Sequence, residues 1–211
     1  MPCKCDRPGE FVARTRLWNS SVTAALLANL KEEHHGSYLD DYHVGFPLGL
    51  RRSIHAFVQQ HSVRALRCQH GRLRLYNHSF GDYFGPHRDR PDDRSPPYEL
   101  SAVLQLNDGA HLFICPKCVS EQPSVNVIEP DALPWLPRVH LRAGELVVFH
   151  GGQQFHGVTR VEPGTTRWSL LTFYGVARAS QRTMLDPTRH LHTFSDTSDY
   201  CRHGAAAIPL P

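Results

Sequence analysis

Val22, Ala25, Leu26 and Leu30 recur at helical spacing, which predicts an amphipathic helix over residues 20–34, capped by Ser20 or Ser21. A second helix is expected after Pro47, with Leu50, Ile54, Phe57 and Val58 as its buried stripe. Gly36 to Pro47 reads as the loop between them. From about residue 63 the pattern changes to short apolar runs broken by Gly, Pro and Asp, the punctuation of strands and turns. Strands are predicted over Leu73 to Asn77, Tyr98 to Asn107 and Ala110 to Cys115, with Asp82 to Arg90 extended as far as Pro91. Val139 to Leu141 and Glu145 to Phe149 are expected to pair as a hairpin around Ala143-Gly144. Phe155 to Val161 and Thr166 to Val176 are expected to form another around Glu162-Pro163-Gly164-Thr165. Residues 116–137 are irregular apart from a short strand at Val125 to Ile128, and the polar tail after Ala177 has no periodicity.

Two helices leading into roughly eight short strands imply a mainly β chain, a double-stranded β-helix (jelly roll) backed by the helices. The 211 residues suit one domain: helical support over about 1–62, a jelly-roll core over about 63–177 and a polar tail over about 178–211.

The net charge of +3 is modest, and the basic residues are scattered with only short pairs such as Arg51-Arg52. Charge therefore gives a nucleic-acid partner no support. No apolar run reaches the length of a membrane span. The start MPCKCDRPGEF has neither the apolar core of a secretory signal nor a transit-peptide pattern, so a cytoplasmic or otherwise intracellular location is expected. In that setting the six cysteines read as free thiols. Cys115-Pro-Lys-Cys118 has the spacing of a zinc half-site or a redox pair, and Cys3-Lys-Cys5 would have to complete a four-sulfur site with it. The simpler reading is a pair of reduced cysteines in a loop after a strand. Nothing in the sequence speaks to oligomeric state.

Fifteen histidines make any single His-x-Asp weak evidence. His87-Arg88-Asp89 gains weight because Pro86 and Pro91 bracket it and disfavour a helix. In an extended chain His87 and Asp89 share a face while Arg88 points away. A third metal ligand has four strand candidates: His111, His140, His150 and His156. The expected last hairpin selects among them. If positions 156 and 171 face each other, Arg167, Ser169 and Leu171 share the face of His156, with Arg167 about 13 Å along the strand. A five-carbon diacid chelating the metal and an extended guanidinium together span that gap. Two imidazoles, one carboxylate and open positions describe a non-haem Fe(II) site, whereas a structural zinc closes its shell with four protein ligands.

The stretch from about Leu73 to Tyr174 resembles the catalytic core of Fe(II)/2-oxoglutarate-dependent dioxygenases, in particular the prolyl 4-hydroxylase-like group. The residues that carry the resemblance are Tyr76 in RLYN, the YFGPHRD segment, the strand ending LQLND, the AGELVVF segment and HGVTRV…TRWSLLTFY. The resemblance implies that His87, Asp89 and His156 bind iron and that Arg167 pairs with the distal carboxylate of 2-oxoglutarate. It also implies that Ser169 and Tyr76 donate hydrogen bonds to that cosubstrate. Gln105 stands where such enzymes often carry an aromatic residue, so it reads as a contact to cosubstrate or substrate, or equally as a satisfied core amide. The implied activity uses O2 to oxidise a C–H bond of a peptidyl (prolyl included) or small-molecule substrate. The presence of Asp89 points to oxygen insertion rather than halogenation. Two other classes stay open. An AlkB-like nucleic-acid demethylase usually carries a second close arginine and a longer His-to-Arg interval, which this sequence lacks. A non-catalytic jelly-roll binding module would use Cys115 and Cys118 for zinc.

Overall fold

The structure, a computed structural model, describes residues 11–33, 42–43, 48–76, 83–90, 97–109, 111–115 and 138–176. Its elements in chain order are β1 (Ala13–Arg16), α1 (Ser20–Glu33), β2 (Tyr42–His43), α2 (Leu48–Gln60), β3 (Leu66–Tyr76), β4 (Phe84–His87), β5 (Leu100–Gln105), β6 (Leu112–Ile114), β7 (Arg138–Val139), β8 (Glu145–Phe149), β9 (His156–Val158) and β10 (Arg167–Val176). The strands form two antiparallel sheets: a six-stranded major sheet ordered β1-β8-β5-β10-β3-β2 and a four-stranded minor sheet ordered β4-β9-β6-β7. This is the double-sheet jelly roll that the strand pattern predicts.

Side-chain alternation sorts the major sheet into two faces. On one face Leu73, Leu100, Leu104, Leu146, Val148 and Leu170 pack beneath Leu27 of α1 and Leu50, Ile54 and Val58 of α2. On the other, Val103, Val147 and Phe149 meet Leu112, Ile114, Val139 and Leu141 from the minor sheet and its flanks. The helices thus seal the outer face and leave the inner face, between the sheets, to hold a site.

The stripe expected on α2 is observed, with Leu50, Ile54 and Val58 buried and Phe57 packed against them. On α1 the expected face is rotated in part: Leu26 packs against the core as expected, but Val22 and Ala25 do not. Val22 is 48% exposed and Ala25 is exposed, whereas Thr23 and Leu27 are buried. Thr23 tolerates burial because its hydroxyl donates to the Asn19 carbonyl at 2.9 Å. Asn19, not Ser20 or Ser21, caps the helix: its Oδ1 accepts the Val22 N–H at 2.9 Å. β1 and β2 lie within the stretch read as helical support, and β3 begins at Leu66 rather than Leu73.

Neither expected hairpin is present. β7 pairs with β6 in the minor sheet while β8 lies between β1 and β5 in the major one. β9 pairs with β4 and β6, and β10 with β3 and β5. The turns themselves are there, with Gly144 and Gly164 at φ 86° and 77°. Each carries the chain from one sheet to the other instead of folding a strand back on its neighbour. Alternation along a strand records its two faces, not the identity of its partner. The strand expected at Val125 to Ile128, Asn77, and the tail after Val176 lie outside the described residues.

Candidate active site

His87 and His156 are cross-strand neighbours, directly opposite each other where β4 pairs with β9, and their ring centroids lie 4.3 Å apart. Asp89, two residues beyond His87, brings Oδ1 to 3.4 Å from His87 Nε2 and Oδ2 to 3.1 Å from His156 Nε2. Among the described residues these three form the one group of metal-capable side chains, with ligand atoms all within 4.8 Å of one another. His111, His140 and His150 are elsewhere. The first two face each other at 5.0 Å, and His150 Nδ1 lies 3.3 Å from the Glu99 carbonyl.

Each imidazole of the triad is oriented by a carbonyl. His87 Nδ1 is 3.0 Å from the Gly85 oxygen, and His156 Nδ1 is 3.0 Å from the Gln154 oxygen. A carbonyl only accepts, so Nδ1 carries a proton, and Nε2 is the nitrogen that faces Asp89 and would bind an ion. That arrangement is the usual support for a metal-binding histidine. Burial and the adjacent His156 push the His87 pKa down. Burial also opposes charge on His156, but the Asp89 carboxylate beside it raises its pKa. Burial disfavours the Asp89 anion, yet the two imidazoles hold its carboxyl well below the usual range. The site is thus an anion between two nitrogen donors, the electrostatic requirement for a divalent cation.

The turn from His150 to Gln154 builds much of this geometry. Gln154 is fully buried; its Oε1 accepts the His150 N–H at 3.0 Å and its Nε2 donates to the Cys115 carbonyl at 3.1 Å. Pinned so, it aims its own carbonyl at His156. In the same turn the Gly151 carbonyl accepts the Asp89 N–H at 2.9 Å. Ser101, on the inner face of β5, donates from Oγ to Asp89 Oδ2 at 2.6 Å. The sequence reading missed these supports. One signal was available for Ser101, which shares strand parity with Gln105.

Arg167 opens β10 on its inner face, opposite Tyr76 on β3, with its guanidinium carbon 5.5 Å from the Tyr76 ring centroid. Ser169 follows on the same face, flanked in register by Gln105 of β5 and Arg74 of β3. The parity expected for Arg167 and Ser169 therefore holds, but His156 looks across from the other sheet rather than from a paired strand. Arg167 is 1% exposed, and burial draws its pKa down to about 10, so it stays cationic at neutral pH. Its Nε and Nη2, together with Ser169 Oγ and Gln105 Oε1, are buried without hydrogen-bond partners. Gln105 Nε2 donates to the Asn107 carbonyl. Buried donors of this kind are rarely left unpaired, and a buried cation requires an anion. The donor set fits a carboxylate.

The sequence profile of the 2OG-Fe(II) oxygenase superfamily matches residues 71–175. The chain belongs to that superfamily. It is an oxygenase of the kind whose members use Fe(II) and 2-oxoglutarate, and the matched stretch contains every site residue above. No curated protein matches it significantly. A Pseudomonas putida prolyl-4-hydroxylase is similar over 79% of this chain and 92% of its own, at 20% identity and a TM-score of 0.50. HygX from Streptomyces hygroscopicus, solved with nickel and 2-oxoglutarate bound, is similar over 78% and 82%, at 14% identity and a TM-score of 0.56. The epimerase SnoN of nogalamycin biosynthesis covers 88% and 91%, at 18% identity and 0.56. These likenesses show the fold.

Zinc gains no support. Cys115 is buried with Phe113 and Phe155, while Cys3, Cys5 and Cys118 lie outside the described residues. No helix among the described residues is long and apolar enough to cross a membrane.

Proposed function

We propose that this oxygenase couples oxidative decarboxylation of 2-oxoglutarate to hydroxylation of a C–H bond in a peptidyl or small-molecule substrate. One 2-oxoglutarate, one O2 and one substrate C–H become succinate, CO2 and a C–OH. The single observation that carries the reading is a fully buried arginine with unpaired donors, on the face that looks across to a two-histidine, one-carboxylate cluster. His87, Asp89 and His156 would hold Fe(II), which supplies O2 activation when bound.

The protein's own part is positioning. Arg167 offers a rigid fork that matches a carboxylate, and Ser169 adds a hydroxyl donor beside it. Tyr76 packs against the guanidinium and presents its hydroxyl from the opposing strand. Gln105 spends one amide N–H on the Asn107 carbonyl and leaves its Oε1 unpartnered on the same face, so that oxygen would accept from an N–H or O–H of the substrate or cosubstrate. Apolar side chains between the sheets exclude water and strengthen these contacts. The substrate classes rest on kinship: one structural relative is a prolyl-4-hydroxylase, and HygX has been solved with hygromycin B bound.

Succinate formation from 2-oxoglutarate with Fe(II) and ascorbate, screened against amino acids, proline-rich peptides and aminoglycosides, tests the reading. Stimulated turnover by one of these is expected. A protein that binds neither Fe(II) nor 2-oxoglutarate would overturn it.

A further inference from the structure

Ser101 is 1% exposed on β5, flanked in register by Phe149 of β8 and Phe173 of β10. Its hydroxyl lies 2.6 Å from Asp89 Oδ2, within the short range of an O–H donating to a carboxylate. Among aromatic neighbours and away from water, such a bond is stronger than on a surface. Gly151 closes the contact from the other side. A Cβ built there would land on both Ser101 Oγ and Asp89 Oδ2, so any side chain would occupy the space the bond needs. The same glycine takes the Asp89 N–H through its carbonyl.

We infer that Ser101 is a positioning residue for Asp89, and that the missing side chain at Gly151 is what lets the two meet. Ser101 holds Oδ2, and the Gly151 carbonyl holds the backbone. The carboxylate is thereby turned so that Oδ1 faces His87 Nε2. Rotation of Asp89 away from the two imidazoles would break a buried charge-assisted bond, so the cluster is organised in advance. The inference rests on the iron-site reading above.

Co(II) titration of the full chain, followed by calorimetry and by the visible absorption of the bound ion, separates this role from simple packing. Loss of a partner that orients a metal ligand typically weakens metal binding about 10–100-fold. Ser101→Ala and Ser101→Val are each expected to weaken Co(II) by that factor, while Ser101→Thr, which restores the hydroxyl, binds within about threefold of the parent. Val and Thr share one shape, so their comparison decides the matter even if the Ala variant fails to fold. Equal Co(II) affinity in the Val and Thr variants, with only the melting point of the metal-free protein altered, would overturn the inference and leave the iron site standing. No Co(II) or Fe(II) binding by the parent chain would remove the iron-site reading itself, and this inference with it.

Discussion

Replacing Arg167 with methionine should make the metal- and ligand-free protein more stable while disabling its recognition of 2-oxoglutarate. A guanidinium whose pKa falls from 12.5 to about 10 on burial carries about 3 kcal/mol of unfavourable desolvation at neutral pH. Methionine fills similar space without charge, and such replacements of buried ions are often neutral or stabilising by about 1–4 kcal/mol. Loss of the desolvated contact with Tyr76 offsets about 2 kcal/mol. The net expectation is a gain of about 1 kcal/mol, or roughly 2–4 °C in melting midpoint at this chain length. The effect on the ligand has the opposite sign. Removing one partner of a buried charged pair costs about 3–5 kcal/mol, so the dissociation constant for 2-oxoglutarate should rise by about two to three and a half orders of magnitude. Differential scanning calorimetry of the metal-free protein and titration of 2-oxoglutarate into the Mn(II)-loaded protein read the two effects. A lower melting midpoint together with unchanged 2-oxoglutarate affinity would mean that Arg167 is a structural residue, and the cosubstrate assignment would fall.

His87→Ala and Asp89→Ala should each lose succinate formation by more than the ~10–100-fold typical of losing an outer-shell support; retained turnover in either would remove it from the iron site. Mn(II) at about a hundred times its dissociation constant should stabilise the parent chain by about 2.7 kcal/mol, and EDTA should reverse the gain. An unmoved melting midpoint would mean that the triad holds no ion. Glu145 accepts from the Arg142 N–H at 2.7 Å and from Arg14 at 2.7 Å. Burial opposes its ionisation, but these donors pull its pKa below the ordinary value. A carboxyl depressed on folding contributes stability above its unfolded pKa and loses it as pH falls through the folded one. Glu145→Gln should therefore lower the melting midpoint at pH 7 and leave a smaller difference in strong acid; a difference that does not vary with pH would contradict this.

Much of the site was legible because its chemistry lies in short local patterns. The i, i+2 geometry of His87 and Asp89 needs only an extended chain, and the two prolines beside them ensure it. The parity of Arg167 with Ser169 is likewise local, and both lie on one face of β10 as expected. His156 does not face Leu171 across a hairpin, since its strand pairs with β4 and β6 and not with β10. The selected residue still falls in the cluster because the two sheets face each other, and a strand turned inward on either one looks into the same space. What stayed hidden is long-range. Ser101 reads as one hydroxyl in an apolar strand, and Gly151 as one of a glycine pair in a turn. Only tertiary contact reveals that each touches Asp89. The rotated face of α1 was hidden for a similar reason: Thr23 is buried by a hydroxyl bond to a carbonyl that periodicity does not record.

The minor sheet is built from strands of two to four residues, against ten and eleven for the longest pair of the major sheet. So few ladder bonds give it little cohesion of its own, and local opening there is separated from the native state by less free energy than opening of the helix-backed sheet. The triad straddles that weak point, with His87 on one short strand and His156 on its neighbour. A bound divalent ion would therefore act as a rivet as well as a reagent: metal loss would loosen the very sheet that carries two of its ligands. Loading and folding of this half of the molecule would then be one cooperative event, and proteolysis of the ion-free protein would concentrate at the β4–β9 pair.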